Sequence, residues 1–183
     1  SMAKSITSVA VGIAVGDGRL DVHAPVADPR WAAPDDPRAA IGWDDLLAMR
    51  PGLAWTEEYY ELDPDRLPDV VTMLFGEAAA DMAAFAADQP LVHEPGSEAA
   101  YCYSSGTTNI VAAALQRTLG LDGDAMAGFL HDRLFGPLGM ASADPRFDGA
   151  GTFVAPPTCT PPSGTGAASA CWPCAAAGGT APT

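Results

Sequence analysis

Ser1-Met2-Ala3-Lys4-Ser5-Ile6-Thr7-Ser8-Val9-Ala10-Val11-Gly12-Ile13-Ala14 sets a hydroxyl three residues ahead of the only lysine in the chain. Met2, Ile6, Val9 and Ile13 recur at offsets of four, three and four, so the stretch predicts an amphipathic helix from Ser1 to about Ala14 with those residues as its apolar stripe. Residues three apart on a helix are neighbours, which puts the Lys4 ammonium within reach of the Ser1 hydroxyl. The first turn also presents unpaired N–H groups, a favourable field for an anion formed on Ser1. Ala3, Ser5, Thr7, Ser8 and Ala10 make the helix narrow and easily buried. A lone lysine taken inside must find a partner or lose its charge, and either outcome suits a nucleophile with its activator.

The composition suits one globular domain: 183 residues, 48% hydrophobic and 17% charged. The formal net charge of −14 repels phosphate backbones and anionic lipid, which argues against nucleic acid as a partner. No membrane segment is expected, because the longest apolar stretch, Val9 to Val15, is interrupted by Gly12 and falls far short of the roughly 20 residues of a span. Four cysteines occur, Cys102, Cys159, Cys171 and Cys174. Cys171-Trp172-Pro173-Cys174 has dithiol spacing but follows a Gly/Ala/Thr stretch rather than a strand, and it is read as accidental. No histidine lies near the pair, so no metal site and no cofactor are expected.

Beyond the first helix, Gly16-Asp17-Gly18 predicts a stop, and Leu20 to Val26 a short extended connection. Asp28 to Arg38 reads as a Pro/Asp-rich loop. Trp43 to Met49 predicts a short helix with Trp43, Leu46 and Leu47 inward, ended by Pro51-Gly52. Trp55 to Tyr60 reads as an acidic and aromatic loop, and Leu67 to Ala87 as mainly helical, broken by Pro90 to Gly96. Helices are predicted from about Thr107 to Leu119 and from about Asp124 to Leu134. From Gly149 to Thr183 charged residues vanish and large aliphatic ones nearly so, a composition unable to build a core. Residues 1–154 are therefore expected to form the domain. Residues 155–183 are expected to be an uncharged tail, frameshifted or disordered. Shifting the frame back one base across Ala155 to Thr160 permits the strand-like Gly-Ser-Ser-Tyr-Val-Tyr, and translation of the coding DNA in other frames tests the idea.

A serine hydroxyl needs a base near neutral pH. Lysine, with a reference pKa of about 10.4, and tyrosine, at about 10, must be shifted to serve. A phenol beside an ammonium favours the phenolate, and burial of the lysine favours its neutral form, so one pair offers two routes to the base. Tyr103 is the candidate phenol. It stands at a loop-to-helix boundary and is followed by Ser104-Ser105-Gly106.

Ser1-Met2-Ala3-Lys4 together with Tyr103-Ser104-Ser105 resembles the SxxK and YxN-type motifs of the serine β-lactamase-related hydrolases, the group of class C β-lactamases, family VIII esterases and 6-aminohexanoate-dimer hydrolases. Leu46 to Leu53, Pro95-Gly96 and Leu134 to Met140 agree in order and spacing. The resemblance spans Ser1 to about Val154. It implies an α+β fold of the β-lactamase/transpeptidase type, of which this chain holds mostly the helical part, with most of the antiparallel sheet missing. It also implies Ser1 as the acylated nucleophile, Lys4 as its proton partner, Tyr103 as the general base that also protonates the leaving group, and Ser105 at the substrate-binding position. Two positions depart from the pattern. Ser105 replaces the Asn of class C β-lactamases and points towards an ester or amide rather than a dedicated lactam substrate; Pro51 stands where relatives commonly have Ser. The family's Lys/His-Thr/Ser-Gly strand is missing, and the chain on its own is expected to be inactive. The implied partner is a small-molecule ester, amide or lactam.

Taken without that pattern, Tyr101 and Tyr103 are packing aromatics with their hydroxyls tied to backbone. His23, His93 and His131 read as surface or capping residues, and Asp44, Asp45, Glu57 and Glu58 as a solvated acidic face. Two rival functions stay open. One is an N-terminal-nucleophile hydrolase in which the α-amine of Ser1 is the base, excluded by any residue found upstream of Ser1 in the native protein. The other is a non-catalytic penicillin-binding-like module or pseudoenzyme, favoured if an acylating probe leaves Ser1 unlabelled.

Overall fold

The computed structural model describes residues 2–57 and 67–154, with side chains from Lys4 onward. Helix α1 spans Met2–Gly16, as the periodic opening predicts. Its buried face is a different one. Val9 is 47% exposed and Ile6 and Ile13 are only half-buried, whereas Lys4, Thr7, Ala10, Val11 and Ala14 are buried. Both stripes have helical spacing, but the second is built from smaller side chains where α1 packs on a later helix, α5 (Ser105–Leu119), and small residues let two helices approach closely. That choice of face takes Lys4 inside.

The segment expected to be a loop, Asp28 to Arg38, instead contributes to the core. Two 3-10 turns, Pro29–Trp31 and Pro37–Ala40, each begin with an aspartate whose side chain accepts a backbone N–H and a proline in the first turn. The first turn drives Trp31 into the interior, 1% exposed, where its Nε1 donates to the Ala87 carbonyl at 2.9 Å. Helix α2 spans Trp43–Leu47, with Trp43 and Leu46 buried and Leu47 partly so. Its first turn is closed by Asp45, which accepts the Gly42 N–H at 2.9 Å.

The alanine-rich segment is helical in three pieces: α3 (Asp69–Phe75), a 3-10 turn at Glu77–Ala80, and α4 (Met82–Ala87). Gly76 and Asp81 make the breaks, Asp81 by accepting the Ala84 N–H as an N-cap. Helix α5 follows, capped by the Ser104 hydroxyl, which accepts the Thr107 N–H at 2.9 Å. It is the axis of the molecule: α1, α2, α3 and α4 all pack on it, and its side chains are buried from Ser105 through Gln116. Helix α6 spans Gly123–Leu130 and runs into a π turn at His131–Phe135, so the predicted single helix to Leu134 widens in its last turn.

The composition change after Asp148 does not mark the edge of the packed body. Phe153 is 4% exposed within the main core, Val154 lies in a smaller cluster with Met73 and Met82, and Gln116 grips the segment from both sides. The Gln116 Nε2 donates to the Gly151 carbonyl at 3.0 Å and its Oε1 accepts the Phe153 N–H at 2.6 Å. A buried glutamine satisfied at both ends can anchor a segment poor in aliphatic residues. The expected tail, 155–183, lies outside the described residues, as do Cys159, Cys171 and Cys174. Among the described residues there is no strand of a sheet, only the isolated antiparallel bridges Pro25–Gly42, Leu53–Leu91 and Phe147–Phe153.

Candidate active site

The site forms where the segment after α2 crosses the start of α5. Gly52 has φ of +76°, and a Cβ there would stand 2.1 Å from the His93 carbonyl oxygen, so only glycine lets the two backbones run this close. The crossing is then held by the Val92 N–H donating to the Gly52 carbonyl and the Ala54 N–H to the Pro90 carbonyl, each at 2.9 Å. Trp55 comes next and lies on Gly106 of α5, where a Cβ would meet the indole ring at 2.7 Å. The indole also packs edge-on to Phe85, with ring centroids 6.2 Å apart.

Trp55 in turn fixes Glu57. Its Nε1 donates to Glu57 Oε2 at 2.9 Å. The same carboxylate accepts from Ser105 twice, the backbone N–H at 2.5 Å on Oε2 and the hydroxyl at 2.6 Å on Oε1. A carboxylate is well placed there, since the first N–H groups of a helix have no intrahelical acceptor and the N-terminus carries a partial positive charge.

Lys4 approaches from α1. Its Nζ lies 3.9 Å from Glu57 Oε1 and 3.9 Å from the centroid of the Tyr103 ring, over the aromatic face. Nζ is buried and makes no hydrogen bond to any described residue. Tyr103 is held by its neighbour, because the Cys102 N–H donates to the Met49 carbonyl at 2.9 Å, and it remains about half exposed. Burial pushes the Lys4 pKa below its ordinary value, with the Glu57 charge pulling the other way. Partial burial raises the Tyr103 phenol above its ordinary value, and the charges of Glu57 and Tyr101 add to that. Of the two routes to a base, these directions favour the neutral amine over the phenolate.

Two of the residues singled out in the sequence, Lys4 and Tyr103, therefore meet. Ser1 lies outside the described residues. Ser105 is at the site, but it is 1% exposed and its hydroxyl is committed to Glu57 rather than open to a cleft. Glu57 is the residue that sequence reasoning missed. The supposed acidic face divides: Asp44 is exposed beside His23, with His23 Nδ1 and Asp44 Oδ2 3.5 Å apart, Asp45 caps α2, Glu57 is drawn inside, and Glu58 is outside the described residues. The available signal was the solitary lysine, whose burial calls for a nearby counter-charge. His93 is exposed and His131 packs its ring on Phe135 at 5.4 Å, as expected of surface histidines. No cluster of three or more His, Cys, Asp or Glu among the described residues is arranged to hold a metal, and no helix among them is long and apolar enough to cross a membrane.

The profile of the Beta-lactamase family matches residues 1–169. No curated protein matches the chain. Among solved structures, one titled "Crystal structure of SurE" is similar with a TM-score of 0.51 and 24% identity, a likeness that speaks to the fold alone. The match covers 92% of this chain and 30% of that one, so the chain spans under a third of that structure's length.

Proposed function

The chain belongs to the beta-lactamase family, and from that premise we propose that it carries the acylation site of a serine hydrolase acting on an ester, amide or lactam through an acyl-enzyme on Ser1. The observation that carries this reading is the buried Lys4 amine, without a hydrogen bond to any described residue, set 3.9 Å over the Tyr103 ring. Burial pushes the Lys4 pKa below its ordinary value, the direction in which a lysine becomes able to take a proton from a hydroxyl.

In the proposed sequence, Lys4 acts in its deprotonated form, and the Ser1 Oγ attacks the substrate carbonyl while its proton passes to the Lys4 Nζ. The tetrahedral intermediate collapses with cleavage of the bond to the leaving group, which takes a proton from the Tyr103 hydroxyl. The proton on Lys4 then restores the phenol. Water attacks the acyl-serine and loses a proton to the same pair, which passes it to the Ser1 Oγ as the acyl–oxygen bond breaks, so that the acid leaves and the hydroxyl and the free amine are restored. Tyr103 starts in its protonated form, the direction its raised pKa favours, and acts as a base only in taking that proton back.

The test is labelling by a fluorophosphonate probe in the full-length product of the gene, with the modified residue located by mass spectrometry. A Ser1 adduct that is lost in Ser1→Ala and slowed in Lys4→Met, with labelling that rises with pH as Lys4 deprotonates, is the expected result. An adduct that persists in Ser1→Ala defeats the reading. Turnover of a p-nitrophenyl ester against nitrocefin then separates the ester and lactam alternatives.

A further inference from the structure

No role assigned so far accounts for Glu57, yet it meets Trp55, Ser105 and Lys4 at once. Both carboxylate oxygens are occupied: Oε1 by the Ser105 hydroxyl, Oε2 by the Trp55 indole and the Ser105 N–H. A carboxylate held at so many points cannot swing freely. It therefore stands at 3.9 Å from Lys4 Nζ, close enough for strong attraction and too far for a hydrogen bond. Attraction without proton sharing is what a lysine that must alternate between amine and ammonium requires.

We propose that Glu57 is a positioning residue of this site: its carboxylate ties the first turn of α5 to Lys4 of α1, and its charge stabilises the ammonium that Lys4 becomes on taking the nucleophile's proton. The inference rests on the hydrolase reading for its use, though not for its measurement. Stabilisation of a charge that develops during reaction, by a group already fixed in place, lowers the barrier without reorganisation. The titratable groups around Lys4 among the described residues are few. Glu57 faces it from the segment before α3 and Tyr103 from the segment before α5, with Tyr101 beyond. The Cys102 thiol turns to the Trp55 carbonyl at 3.6 Å, and Asp69 of α3 accepts from the Thr56 N–H and hydroxyl. Glu57 is accordingly the carboxylate whose removal Lys4 should feel.

The chain has one lysine, so protein labelled with lysine carrying 13C at Cε reports Lys4 as a single resonance. Its titration midpoint is expected to move to lower pH in Glu57→Gln, because the ammonium loses its counter-charge while Gln can still accept from Ser105. Glu57→Asp, which keeps the charge but retreats by a methylene, should lie between Gln and wild type. It carries the test alone if the Gln variant loses its helical circular dichroism. A midpoint unchanged or raised in a folded variant overturns the proposal. In full-length enzyme the acid limb of the acylation rate should move to lower pH in Glu57→Gln while the plateau falls, and a purely structural role would lower the rate without moving the limb. If Lys4 responds as expected but Ser1 is never acylated, the hydrolase reading fails and the role of Glu57 stands. If Ser1 is acylated and the midpoint does not move, Glu57 alone is misassigned.

Discussion

Helices α1 and α5 are of equal length, 15 residues each, and carry the two halves of the candidate site, yet their surroundings differ. α5 is enclosed by four other helices, and its buried Ser105 and Gln116 find their partners inside, in Glu57 and in Gly151 and Phe153. α1 buries one stripe and leaves Ser5, Ser8, Val9 and Gly12 exposed. The enclosed helix supplies a fixed frame. The one-sided helix delivers the titrating amine against it, and Tyr103 and Glu57 complete the junction.

That contrast is open to attack in stages. The largest effect is expected at the centre of α5: Leu115→Ala, at a position with no exposure, should cost about 2–5 kcal/mol in denaturant unfolding, since the surrounding helices cannot collapse around the cavity. A loss well under that range would mean α5 is not the axis. A smaller effect is expected at its entrance, where Ser104→Ala removes the N-cap and should cost about 1 kcal/mol in the same measurement. The smallest belongs to the outer face of α1: Val9→Ala should stay within about 0.5 kcal/mol of wild type. A substantial loss at Val9 would restore the Met2-Ile6-Val9-Ile13 stripe as the packed one.

Part of this architecture was legible. The periodic run from about Thr107 to Leu119 marks most of α5, which starts two residues earlier at Ser105, Pro51-Gly52 marks the end of the α2 region, and Lys4 and Tyr103 were both singled out before the fold brought them together. What escaped reading depends on depth. Trp31 was lost in a Pro/Asp loop because two short aspartate-capped turns have no long period to detect. Phe153 and Val154 fall inside the expected domain of residues 1–154 but in a stretch whose composition reads as unable to build a core, since nothing local says that a glutamine 37 residues before Phe153 holds the chain there.

The sequence by itself determined that α1, α2, α5 and α6 form and about where along the chain they lie, because periodicity and breakers are local properties of the chain. Only the tertiary structure decided which stripe of α1 faces inward and which acidic residue follows Lys4 inside. Those outcomes are set by how closely two helices approach and by the cost of burying a charge, and neither exists until distant segments are brought together.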